Sequence, residues 1–306
     1  MKLDVRSASF TIAPGALALL LQAGTSLAQA PQPPADHPAV TVRGQTYTPR
    51  SILARNMGSP EDQTTAFTPH RIIGNIYYVG TKTLSSFLVV TPEGNILIDS
   101  TYERNVPVIE KSVADLGFKF SDVKILLGNH AHGDHQEGDA LVKQKTGAQV
   151  AAMAEDVPAL QAMKPGGKEH PIDRVLHDGD KVTLGGTTLV AHLTAGHTRG
   201  CTTFTTTAQE NGKTYNVMFG CSLRSPAVIT PEVAAEFERS FKAVRALPCD
   251  VQLGDHGAQY GMLEKFAKLK EGQPNPFIDP ASCTLEADVQ EAMFNATLAE
   301  QKAAKP

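Results

Sequence analysis

Residues 129–139 read NHAHGDHQEGD, which puts His130, His132, Asp134 and His135 within six positions of a chain that has only ten histidines in 306 residues. An isolated histidine is most often a polar loop residue that titrates near neutral pH. Three imidazoles crowded beside a carboxylate are different, because their donors and acceptors are badly matched unless something shared binds them. A metal ion meets that need. Histidine nitrogen and aspartate oxygen are ordinary zinc ligands at about 2.0–2.2 Å, a shell that spaced histidines can build.

The flanking residues say where the cluster sits. VKILLGNH is an apolar run over Val123–Leu127 that ends in Gly128 and Asn129, as a buried strand running into a loop would. Beyond the cluster, EGDALVKQKTG has a short helical pattern stopped by Gly147. The cluster is therefore expected on a loop at a strand's carboxyl end, held by a rigid scaffold yet open to a substrate.

Two later segments repeat the design. LVAHLTAGHTRG carries a strand from Leu189 into Gly196-His197, and CDVQLGDHGAQ carries one from Val251 into Asp255-His256. Glycine beside each histidine lets the backbone turn sharply and approach closely. His37, His70, His170, His177 and His192 lack this context and read as structural or surface residues.

Working outward, IYYVG, SFLVVT, NILIDS, AQVAAM, KVTLGGTTLVAHL, CTTFTTT, TYNVMFG and VQLG read as strands. Helical patterns lie near 106–116, in DVPALQAM, in TPEVAAEFERSFKAVRAL with Thr230 as cap, in MLEKFAKLKEG and over 285–302. Two batches of strands, each followed by helices, predict an α/β fold of two facing sheets with helices outside both, a four-layer αββα sandwich.

The amino end, MKLDVRSASFTIAPGALALLLQAGTSLAQA, has basic Lys2 and Arg6, an apolar stretch and then small residues, the pattern of a secretory signal peptide over residues 1–30 with no membrane anchor. Cleavage after Ala28 or Ala30 both suit it. Residues 31–63 then form a Pro-, Thr- and Gln-rich extension, beginning with the extended lead-in PQPPADHP, before a domain over 64–306. The formal charge of −4 becomes −5 once residues 1–30, which carry Lys2, Asp4 and Arg6 for a net +1, are removed. Nucleic acid is excluded as a partner for such a surface. A periplasmic or secreted monomer is expected.

H-A-H-G-D-H, G-H-T-R-G and the late D-H-G resemble the metallo-β-lactamase fold, and RIIGNIYYVGT and NPFIDP resemble the third subclass of class B β-lactamases. The likeness covers roughly residues 64–280. It implies two Zn2+ ions, with His130, His132 and His197 on the first, and Asp134, which also carries the catalytic assignment, His135 and His256 on the second. It further implies hydrolysis of the β-lactam amide by a metal-bound hydroxide, and a substrate carboxylate held by Ser222 and Arg224. A lactone or thioester hydrolase on the same fold is the alternative. A zinc-binding protein without turnover is a third reading, disfavoured by the complete ligand set.

NVMFGCSLRSP decides between relatives, because glyoxalase-type thioesterases and lactonases that share the fold usually place a metal-bridging aspartate where this chain has Cys221. In another β-lactamase subclass a cysteine near here is a zinc ligand. A structural role is preferred: a three-residue turn on Glu210-Asn211-Gly212 sets Cys201 opposite Cys221, whereas a two-residue turn on Asn211-Gly212 shifts the register by one. Cys249 and Cys283 match a disulfide of the resembled subclass. MKPGGKEHP, residues 163–171, reads as a basic lid loop whose Lys164 and Lys168 are a second source of carboxylate contacts.

Overall fold

The computed structural model describes residues 36–304 apart from 271, and the expected signal peptide lies outside the described residues. The hairpin Val40–Val42 (β1) and Gln45–Tyr47 (β2) leads into helix α1, Pro49–Met57. A seven-stranded sheet follows in chain order: His70–Ile73 (β3), Ile76–Tyr78 (β4), Phe87–Thr91 (β5), Gly94–Ile98 (β6), Val123–Leu127 (β7), Gln149–Met153 (β8) and Arg174–Leu176 (β9). β3 to β6 pair antiparallel, and β6 to β9 pair parallel. Parallel neighbours need crossovers. Helices α2 (Val106–Asp115), α3 (Gly133–Gln136), α4 (Asp139–Thr146) and α5 (Val157–Ala162) lie in them.

The second sheet has five strands, again in chain order: Lys181–Leu184 (β10), Thr187–Leu193 (β11), Thr202–Glu210 (β12), Lys213–Gly220 (β13) and Val251–Gly254 (β14). Helix α6, Pro231–Ala246, crosses from β13 to the parallel β14, and α7 (Met262–Lys268) and α8 (Leu285–Ala303) complete the chain. Thr230 caps α6 by accepting from the Val233 N–H, as its position predicts.

Alternation along the strands builds the layers. Ile96, Ile98, Ile125 and Leu127 point to the core between the sheets, where they meet Phe204, Val217, Phe219, Val251 and Leu253. Leu97, Val123 and Leu126 point the other way, onto Val106, Ile109 and Val113 of α2. On the far side Met218 packs under Phe237 and Phe241 of α6 and Phe294 of α8. This is the expected αββα sandwich.

Two details differ from the sequence reading. First, the β12–β13 ladder runs from Glu210↔Lys213 to Phe204↔Phe219, so the hairpin closes on the two residues Asn211-Gly212 and not on three. Both have positive φ, 51° and 76°, the conformation that matches strand twist in a two-residue hairpin and that Asn and Gly tolerate best. Cys201 and Cys221 still join in a disulfide, because both lie beyond the last ladder pair, with Cα atoms 5.8 Å apart. Second, residues 40–57 form β1, β2 and α1, where the sequence reading assigned no elements. Tyr47 and Ile52 pack there against Val289 and Met293 of α8. Cys249 and Cys283 are also bonded.

Candidate metal centre

Loops leaving the carboxyl ends of β6, β7, β11, β13 and β14 meet at one edge of the sandwich. Glycine makes their approach possible, as expected. Gly196 before His197 has φ 135°, and a Cβ there would come within 2.8 Å of the Phe237 ring.

Six of the predicted residues converge there. Ligand atoms of His130, His132 and His197 lie within 4.8 Å of one another, and so do those of Asp134, His135 and His256. His130 links the groups, its ring 4.7 Å from that of His132, 4.8 Å from His197 and 4.3 Å from His135. The chain's own bonds orient several rings. The Nδ1 of His197 donates to the Arg224 carbonyl at 2.8 Å, which turns its Nε2 toward the cluster. The buried Asp255 lies 3.4 Å from the Nδ1 of His130, and Asp99 lies 3.3 Å from the Nδ1 of His135. A carboxylate behind a histidine is how metal ligands are commonly held in one tautomer.

The electrostatics of three imidazoles suit a metal, whereas at His135 burial is outweighed by Asp134 and Asp99, which hold it well above the usual histidine range. Burial, with the neighbouring imidazoles, holds His130 and His197 well below the usual histidine range and His256 down at about 3. They are thus neutral, as a metal ligand must be. Burial alone would raise Asp134, but the adjacent His135 and His256 outweigh it and keep the carboxylate ionised. Burial pushes Asp255 up to about 7 against the pull of His135. Both nitrogens of the fully buried His135 lack hydrogen-bond partners of good geometry, although carboxylates approach each to 3.3 Å. The donor set of imidazoles and one carboxylate suits zinc.

Cys221 is not available as a thiolate. Its sulfur is 3.6 Å from the Nδ1 of His130, but it is bonded to Cys201. Ser222 is buried at 2% exposure, its backbone N–H donating to Asp255 at 2.8 Å. The bonds of Arg224 among the described residues come from its backbone, and its guanidinium is half-buried beside the cluster. The segment 163–171 keeps Lys168 away from the centre, with its Nζ 3.3 Å from Gln144 Oε1 and 3.8 Å from Glu103. His70, His170 and His192 bond to Thr68, Gln136 and Thr205 and stay outside the cluster.

Three functional candidates were not singled out in the sequence. Asp99 and Asp255 stand behind candidate ligands, and Asp156 ties together the two loops that carry His130 and His197: it accepts from Ala131 N, Thr198 Oγ1 and Gly200 N at 2.7–2.8 Å. The only sequence signals are carboxylates at strand ends, in NILIDS and LGDH. Replacing Asp99 with alanine is expected to lower zinc affinity about 10- to 100-fold with the fold retained, measured by competition with a chromophoric chelator. Unchanged affinity would mean that His135 holds its orientation without Asp99.

The family model of the metallo-beta-lactamase superfamily matches residues 80–209. The FEZ-1 metallo-β-lactamase of Legionella gormanii is 42% identical, over 78% of this chain and 98% of its own, with a TM-score of 0.75. BJP-1, a subclass B3 metallo-β-lactamase of Bradyrhizobium japonicum, is 36% identical over 80% and 99%, also with a TM-score of 0.75. A hydroxyacylglutathione hydrolase of a Methylobacterium species is 28% identical over 200 residues, 63% of this chain and 71% of that protein.

Proposed function

This chain belongs to the metallo-β-lactamase superfamily, with subclass B3 enzymes among its relatives, and from that footing we propose that it is a zinc-dependent hydrolase that opens the amide bond of β-lactam rings. The observation that carries the reading is the pair of ligand triads joined at His130, with Cys221 locked in a disulfide where thioesterases and lactonases of the fold usually place a bridging aspartate. His130, His132 and His197 would hold one zinc, and Asp134, His135 and His256 a second. When bound, zinc lowers the pKa of water to near neutrality and polarises a carbonyl oxygen. Everything else is the work of the chain. Asp99 and Asp255 hold ligand tautomers, Asp156 fixes the two loops, and Arg224 faces the site with a cation that a substrate carboxylate can neutralise.

Residues 1–30 would export the chain to the periplasm or medium, and 64–306 would carry the catalysis as a monomer. Two disulfides suit that oxidising compartment. Among the described residues no helix is long and apolar enough to cross a membrane.

The test is turnover of a penicillin, a cephalosporin and a carbapenem beside a lactone and a glutathione thioester. The thioester reading has the 28% identity to the hydroxyacylglutathione hydrolase in its favour. Good thioester turnover with no ring opening would hand it the case. Arg224→Ala is expected to raise KM about tenfold with kcat nearly unchanged, the signature of a contact worth about 1.4 kcal/mol made equally in ground and transition states. A loss in kcat instead would place Arg224 in the chemical step.

A further inference from the structure

A cavity of about 670 Å³ opens beside Arg224, between the segment that follows β13 and helices α1 and α8. Pro226 and Val228 of that segment, Ile52 of α1 and Met293 and Thr297 of α8 line it. Its span is pinned. Gln301 of α8 exchanges two hydrogen bonds with the backbone of Ile229, at 2.7 and 2.9 Å, so the segment 225–231 is tied down at its far end. Val228, also in the lining, stays 69% exposed.

The volume lies within the range of small-molecule sites, and a mostly apolar lining with a few charged groups, here Arg224 and Glu300, is their usual composition. Arg224 is the cation of the two. Its guanidinium makes no hydrogen bond or ion pair among the described residues, and an acid on the wall, Glu300, is exposed on the last turns of α8. A half-buried cation that lines an apolar cavity and borders the metal cluster asks for an anion attached to an apolar body.

We propose that this cavity is a binding site for an anionic amphiphile, a carboxylate or sulfonate bearing an apolar tail of about ten carbons, with the head group on Arg224 and the tail between the 225–231 segment and α8. The site is distinct from the metal ligands and meets them only at Arg224. If the β-lactam reading also holds, on which this one consequence rests, the amphiphile competes with the substrate carboxylate for Arg224 and raises KM without lowering kcat.

Sodium decanoate titrated calorimetrically into the zinc-loaded protein tests it without any turnover. One decanoate is expected per chain, with acetate silent and each methylene removed from the tail weakening binding by up to about fourfold. Thr297→Trp, which fills the cavity from α8, is expected to weaken decanoate at least tenfold while leaving cephalosporin turnover unchanged. Arg224→Gln is expected to weaken decanoate but not decanol. Decanoate binding that ignores tail length, or that survives Thr297→Trp, overturns the proposal and puts the carboxylate on the metal; no binding up to millimolar decanoate overturns it too.

Discussion

Stripped of metal by a chelator, the protein is expected to lose hydrolysis of a chromogenic cephalosporin and to regain it with zinc, and His197→Ala and His256→Ala are each expected to lower turnover at least about 100-fold. A Lewis-acid contribution of several kcal/mol is at stake at each ion, and each 1.36 kcal/mol is a factor of ten in rate. The two substitutions differ in what they take away. His197 closes the triad with His130 and His132, whereas His256 closes the one with Asp134 and His135. Metal analysis should therefore show each variant short of a different ion, and His256→Ala keeping the His130 triad loaded. Neither residue belongs to the apolar clusters between the layers, so both proteins should fold. Two tightly bound zincs in either variant would show that the ligands are misassigned.

What the sequence made readable was local. His130, His132 and His135 stand out because three histidines in six positions have no cheap alternative to a shared ligand, and His197 and His256 because each follows an apolar strand and glycine. The sheets were readable for the same reason, since short apolar runs such as Val123–Leu127, stopped by Gly128, mark buried strands whatever surrounds them. Asp99, Asp156 and Asp255 were not, because an aspartate's part depends on what it reaches across the fold. Asp156 works by bonding to residues 25 to 44 positions away, and no window of sequence contains that. The hairpin and α1 over 40–57 were missed in a polar, Pro- and Thr-rich stretch, although Thr48, Pro49 and Ser51 form a helix start that the pattern does carry. Tyr47 and Ile52 anchor it on a helix some 240 residues on, where Arg43 and Arg55 also pair with Asp288 and Glu286.

The disulfide between Cys201 and Cys221 joins these two kinds of information, and its removal separates stability from function. In the chain-entropy account, opening its loop costs about 3 kcal/mol, and opening the longer one between Cys249 and Cys283 slightly more. Either pair of serines should lower the melting temperature by roughly 6–12 °C in a domain of this size. Activity should split them. Cys221 leads directly into Ser222, whose N–H holds Asp255, which in turn stands behind His130, and into Arg224, whose carbonyl orients His197. Loosening that strand end slackens two ligands of the His130 triad together. Cys249 and Cys283 lie outside that chain of contacts, at the start of β14 and beside α8. Cys201→Ser/Cys221→Ser should therefore bind its first zinc about 10- to 100-fold more weakly, with turnover falling in step at limiting metal, while Cys249→Ser/Cys283→Ser keeps wild-type zinc affinity at a temperature where both remain folded. Equal zinc affinity in the two variants would reduce the first disulfide to a staple and leave the orientation of His130 and His197 to the hydrogen bonds alone.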